Sequence, residues 1–483
     1  MTAHPHDAPD GASAGHPLRV ETHGLDVIED AERKGTPRTL FWPWFGANVS
    51  VLGLGYGAFA FGFGISFPQA LAAGALGIVV SFLLCGFVAV AGKRGSAPTM
   101  VLSRAAYGVR GNRLPAVVSW MLTVGWETVL TALATMATAT VLGALGWGGG
   151  TGTKAAALMV VAALTVVGGV MGFDLIMRLQ TWITLVTGVL TIVYVVLVAD
   201  RIHWSAVDAL PAGSAQRFIG ALVFMMTGFG LGWVNAAADY SRYLPRDSSS
   251  RGVIGWTTFG ACLAPLVLLV FGLLLAGSAP ELSRAIAADP VGALATLLPA
   301  WFLVPFAVVA VLGLVGGAVL DIYSSGLALL SAGLRAPRYL AALLDGVLMI
   351  AGSVYIVFYA DDFLGVMLAD LALRRRDYDE ADLYRPHGRY GDVPLLPLCV
   401  TLTATAVGWG LVTNTAAHWL TWQGYLLTPL GLGGRTGPWA YANLGVLVAL
   451  VLAFLGTLST SRDRIRHQEA QAPGPAREEL PHP

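Results

Sequence analysis

The sequence holds only three cysteines, Cys85, Cys262 and Cys399, all in apolar stretches. They supply neither a disulfide framework nor a metal-ligand spacing. Charge is equally scarce. Only 12% of the 483 residues are Asp, Glu, Lys or Arg, against roughly 25% in an ordinary soluble domain. Lys+Arg and Asp+Glu number 29 each, so no positive excess exists to hold a polyanion, and no nucleic-acid partner is expected. Catalytic and nucleotide motifs are missing too. Without a GxxxxGK(S/T) loop no ATP-driven motor is expected, and without HExxH or a Cys/His cluster no bound metal. There is no GxSxG nucleophile elbow. The chain therefore reads as no enzyme, and no cofactor is expected.

What is present is apolar. Hydrophobic residues make up 55% of the chain, and the mean hydropathy is +0.67. A helix that crosses a bilayer needs ~20 apolar residues. Such stretches run at about 42–66, 68–91, 115–144, 155–173, 178–199, 217–241, 253–277, 301–331, 339–359, 394–415 and 438–458. The pattern predicts an all-α integral membrane protein, disordered polar tails over 1–40 and 459–483, and no signal peptide. With the N-terminus inside, all but five of the 29 Lys and Arg fall on inside segments. The exceptions are Lys154, Arg201, Arg217, Arg284 and Arg435. That asymmetry predicts a multi-pass protein of the cytoplasmic membrane with both termini cytoplasmic.

An odd number of crossings cannot leave both termini on one side. Residues 339–373 lie between two arginine-rich segments and should go out and come back. As helix they reach ~52 Å at ~1.5 Å per residue, too little for two crossings of a ~30 Å core. Either this hairpin is shortened or the later spans are inverted; a shortened hairpin is the preferred expectation.

Glycine is abundant, 59 residues, and clusters in two spans. The first reads WFGANVSVLGLGYGAFAFGFG and the sixth MMTGFGLGWVNAAADYSRYLP. Glycine permits close helix packing, as in Gly53-x-x-x-Gly57. Paired glycine breaks five spans apart also mark an inverted repeat whose freed backbone groups bind a solute or cation; that is the reading preferred. Polar side chains inside spans are costly and are candidates for function. Glu127 lies in span 3 beside Trp126, and Asp321 in span 8 with Ser324 and Ser325 at i+3 and i+4 on its face. Asn48 and Ser50 sit in span 1, Asn235 and Asp239 late in span 6. Asn48 and Asn235 are equally compatible with helix–helix hydrogen bonds, and Glu127 with a structural role. Asp239 and Arg242 read as a pair that closes a gate or anchors a helix end. Trp126 and Trp233 offer aromatic faces for a flat ring, or simply pack.

Eight strings carry a resemblance: WFGANVSV (44–51), GISFPQAL (64–71), GSAPTMVLSRAAYG (95–108), GWETVLTALAT (125–135), GWVNAAADYSRYLP (232–245), DIYSSGLALL (321–330), MLADLALRRRDYDEADLY (367–384) and WQGYLL (422–427). The chain resembles the nucleobase–cation symporter family, in its purine–cytosine permease branch. The resemblance implies about twelve spans, a five-plus-five inverted repeat over 41–200 and 216–373, a cytoplasmic loop at 374–393, and two last spans within 394–458. It implies import of a cytosine- or purine-like heterocycle by cation symport, the cation preferably a proton. The solute site would use Trp126, Trp233, Asp321, Ser50 and Asn48, with Asp321 and Glu127 as coupling groups. Sodium-coupled relatives hold their cation on span-1 carbonyls, here Gly46 and Val49, and on span-8 hydroxyls. This chain departs from them in three ways. Val315 and Gly316 stand where those hydroxyls belong, Leu130 stands where several relatives have an amide, and the tenth span is short after 363–365. The shortening leaves an alternative, a defective or repurposed member that does not transport.

Overall fold

Every regular element among the described residues is a helix, as long apolar runs must be where no water can satisfy the backbone. The computed structural model describes residues 21, 24–148, 150–288, 290–351, 373–374, 378–413 and 420–471. Seven of its helices are long and apolar enough to cross a membrane. Two further pairs pass the same test together but bend, Pro37–Asn48 with Leu52–Gly62 by 64° and Leu444–Thr460 with Arg462–Ala470 by 54°. In chain order we label α1 (Phe41–Asn48), α2 (Leu52–Phe61), α3 (Phe67–Gly95), α4 (Arg113–Ala144), α5 (Thr151–Met171) and α6 (Phe173–Val198). Then follow α7 (Ala215–Gly228), α8 (Ser250–Ser278), α9 (Leu303–Ala332), α10 (Arg338–Ala351), α11 (Leu395–Gly410), α12 (Leu444–Thr460) and α13 (Arg462–Ala470). The shortened tenth span and its hairpin fall on residues outside those described, as does much of the chain on which the twelve-span count depends.

Lipid tails are as apolar as leucine, so close packing and polar contacts hold such helices together. Glycine supplies the closeness. A side chain on Gly57 of α2 would meet the backbone of Gly272 in α8 at 2.1 Å. Gly168 and Gly169 of α5 likewise leave room for Val319 and Ile322 of α9. Here the packing reading of the first glycine run is correct for Gly57, even though the same run also breaks.

Both polar tails are more ordered than expected. Ile28 and Leu40 are each 1% exposed, and Ile28 N donates to Ser96 O at 3.0 Å. At the other end α13 buries Ile465 and Gln468. The expectation of disorder therefore fails for 24–40 and 462–470: a few apolar and charged groups dock on the bundle end despite the polar composition. The loop at 378–393 is also packed down. Arg389 bridges Asp379 at 2.7 Å and Asp382 at 3.0 Å. Burial pushes Glu380 above the ordinary carboxyl range, against the pull of Arg246 and Arg33.

Candidate functional site

Two helix breaks build the site. α1 stops at Asn48, and Val49 leaves helical geometry with φ −84° and ψ 82°. The chain restarts as α2, with Leu52 N donating to the Ser50 hydroxyl at 3.2 Å within the break, a local serine–backbone bond. α7 stops at Gly228, Phe229 has φ −119° and ψ −105°, and a tight 3-10 turn runs over Gly230–Ala236. Neighbouring helices satisfy the freed backbone groups, as burial requires. The Tyr56 hydroxyl of α2 donates to Gly228 O at 3.0 Å. Gly230 N donates to Ser81 Oγ at 3.1 Å, and Cys85 Sγ donates to Gly230 O at 3.1 Å, both from α3. The second break is thus held by side chains of two other helices.

One cavity lies between the breaks, with about 570 Å³ of atom-free space including its open mouth. Asn48, Ser50, Trp126, Trp233 and Asp321 all line it. These five expected site residues come from the first break, α4, the turn after α7, and α9. Trp233 is steadied edge-on against Trp44, with centroids 6.0 Å apart at 79°. Gly232 leaves the indole N–H of Trp126 clear: a side chain there would approach Nε1 at 3.0 Å. Asp321 is 2% exposed, and its Oδ2 has no hydrogen-bond partner among the described residues. Asn48 is less available, because its Nδ2 donates back to Trp44 O at 2.8 Å. Leu130, Tyr56 and Phe229 complete much of the wall.

Other expected residues lie elsewhere. Ser324 and Ser325 share the face of Asp321 but orient other groups. Ser324 Oγ meets the Tyr240 hydroxyl at 2.9 Å, and Ser325 Oγ donates to Asp345 Oδ2 at 2.9 Å. Glu127 is fully buried outside the cavity lining, facing Ser325. Asp239 and Arg242 do not pair. Asp239 Oδ1 accepts from Thr99 N at 2.7 Å and Thr99 Oγ1 at 2.8 Å, whereas Arg242 turns to Glu21 at 3.2 Å and to Gly24 O at 3.0 Å. Gly46 and Val49 also lie outside the lining. Gln180 of α6 packs against Gly46 and donates from Nε2 to Gly316 O at 2.7 Å. Gln180, Asp345, Glu21, Tyr56 and Phe229 were not singled out in the sequence. Asp345 carried a signal, a lone carboxyl in the apolar run LLDGVLM. The others become visible only once the helices pack.

Comparisons with known proteins bear on the family and the fold. A model of permeases for cytosine/purines, uracil, thiamine and allantoin matches residues 27–426. A protein of Bacillus subtilis (strain 168) that carries the name purine-cytosine permease YxlA is 23% identical over 279 residues, 55% of this chain. The match spans only 56% of that relative's length. The fold is shared with Mhp1, a nucleobase-cation-symport-1 transporter solved closed with bromovinylhydantoin bound: TM-score 0.68, 18% identity, 95% of this chain and 100% of that one. A sodium-coupled sialic acid symporter in an outward-open state also superposes, with TM-score 0.57, 11% identity and 92% of each chain. With the family's pattern running over residues 27–426, the chain belongs to the permeases for cytosine/purines, uracil, thiamine and allantoin.

Proposed function

We propose that this permease imports a nucleobase, or a planar heterocycle with the same mixed donor–acceptor edge, across the cytoplasmic membrane together with a proton. Family membership makes it a transporter rather than an enzyme. One observation carries the solute reading: two tryptophans and one carboxyl oxygen without a partner among the described residues line a single cavity between two broken helices. Indole faces stack a flat ring. A neutral Asp321 donates one hydrogen bond and accepts another, which matches adjacent donor and acceptor atoms on a base. Broken spans near the bilayer midplane suit alternating access, in which one bundle rocks against the other around a fixed site. Both termini would lie in the cytoplasm, on the arginine-rich side.

The proton is preferred over sodium because Val315 and Gly316 bring no hydroxyl to the first break, and the Gln180 amide fills space beside Gly46. One observation favours a sodium reading. The Gln180 Oε1 has no partner among the described residues, and it converges with Gly46 O on Gly316, where a side chain would meet them at 3.4 Å and 3.0 Å. The alternative of a member that binds without transporting turns on 352–372, outside the described residues. Uptake of a panel of labelled bases in a transport-deficient host separates these readings. Accumulation of a base supports import; binding to purified protein without uptake supports the non-transporting alternative.

A further inference from the structure

Outside the cavity lining, three helices bring two carboxyls to one hydroxyl. Glu127 of α4 and Asp345 of α10 are both fully buried. Ser325 of α9 stands between them, its Oγ 2.9 Å from Asp345 Oδ2 and 3.5 Å from Glu127 Oε2. The Trp120 indole donates to Asp345 Oδ1 at 2.7 Å. Glu127 Oε1 has no partner among the described residues. Hydrogens do not suffice for two ionised carboxylates. The serine hydroxyl carries one proton, yet three acceptors lie in its reach, since the Ile322 carbonyl is also 3.1 Å away. If that proton serves Asp345, the Glu127 carboxyl is left with no donor. A buried carboxylate without donors or a counter-charge is too costly to stay ionised. The charges that act on Glu127 are acidic, Asp345 and Asp321, and Asp345 answers to Trp120 and Ser325. Packed against these helices, α5 brings Lys154 in its first turn and α6 brings Asp174 and Arg178 near its start, while the Gly230–Ala236 turn brings no charged group.

We propose that Glu127, Asp345 and Ser325 form a proton-holding site separate from the solute cavity, and that this site carries the coupling proton. One proton is shared by the two carboxyls, which keeps the group at a single negative charge; it leaves when helix movement opens the site to the cytoplasm. The coupling role rests on the import reading above, whereas proton binding does not. The test is infrared difference spectroscopy of the transporter in lipid vesicles during a pH titration, with Asp321→Asn as background to silence the cavity carboxyl. A protonated-carboxyl band should titrate and be lost in both Glu127→Gln and Asp345→Asn. Ser325→Ala, which keeps both carboxyls, should move the midpoint to higher pH, because the ionised form loses its hydroxyl donor. A band unchanged in the two amide variants, or an unmoved midpoint in Ser325→Ala where the amide variants fail to fold, would overturn the site. In the otherwise wild-type protein, pH-driven uptake retained by Glu127→Gln would overturn its coupling role. A band that behaves as expected in a protein that accumulates no base would leave the proton site standing and remove the import reading instead.

Discussion

Arg242 Nη2 lies 3.2 Å from Glu21 Oε1, so the chain just past the second helix break is tied to the N-terminal segment. The same carboxylate accepts from the Tyr243 hydroxyl and from Phe173 N, the latter at 2.7 Å. Arg338 of α10 approaches it to 3.9 Å. Glu21 therefore joins α6, α10 and the end of the broken span on the arginine-rich side. Arg242 is wholly buried, and removing one partner of a buried pair costs about 3–5 kcal/mol. Glu21→Gln should lower the melting temperature followed by tryptophan fluorescence in detergent. An unchanged melt would mean that the tie adds no stability.

Stacking predicts a second outcome. Loss of one aromatic face costs ~1–3 kcal/mol on the base-stacking scale. Trp126→Ala should raise the apparent dissociation constant for the transported base by roughly 5- to 150-fold, with membrane insertion unchanged. Equal affinity in this variant would take Trp126 out of the solute site.

The second break makes a contrast between neighbouring glycines. A side chain at Gly230 would run into the Ser81 backbone at 2.3 Å, where nothing flexible can yield. At Gly232 it would meet the Trp126 indole nitrogen at 3.0 Å. Gly230→Ala should therefore fail to give folded protein, while Gly232→Ala should fold and bind solute more weakly. Size-exclusion profiles and equilibrium binding read the two effects separately. Normal folding of Gly230→Ala would show that the break is not clamped against α3.

How far the sequence revealed this arrangement depends on the kind of signal. Spans and breaks were legible because length, hydropathy and glycine clustering are local properties. Trp126, Trp233, Asp321, Ser50 and Asn48 stood out singly because polar and aromatic groups beside broken helices are rare and costly in a bilayer, but it was the family resemblance that grouped them into one site. Partner choice was not legible. Asp239 and Arg242 are three residues apart, but the turn after α7 is not an α-helix, so their side chains diverge to Thr99 and Glu21. Ser324 and Ser325 obey helical spacing from Asp321, yet spacing does not say which neighbouring helix supplies Tyr240 or Asp345. The N-terminal segment looked disordered because composition does not register that one glutamate and one isoleucine dock on the bundle.

Coupling gives the last prediction, and Asp321 separates solute binding from the proton site. Its Oδ2 is buried, without a partner among the described residues, and beside the cavity, and a neutral carboxyl there offers a solute edge both a donor and an acceptor. Import with a proton should then rise as external pH falls and should persist without sodium. Each unit of pH difference supplies ~1.4 kcal/mol, enough for about tenfold accumulation at one proton per solute. Asp321→Asn keeps a donor and an acceptor, so part of the solute affinity should survive, and protonophore-sensitive accumulation should survive with it because the coupling proton sits on Glu127 and Asp345. The opposite expectation follows if Gln180 Oε1 and Gly46 O hold sodium: uptake would need sodium, ignore pH, and weaken in Gln180→Leu. Uptake in sodium-free buffer at two external pH values, with and without a protonophore, separates the two. Strict sodium dependence with no pH effect would rule out the proton and move the coupling site to the first helix break.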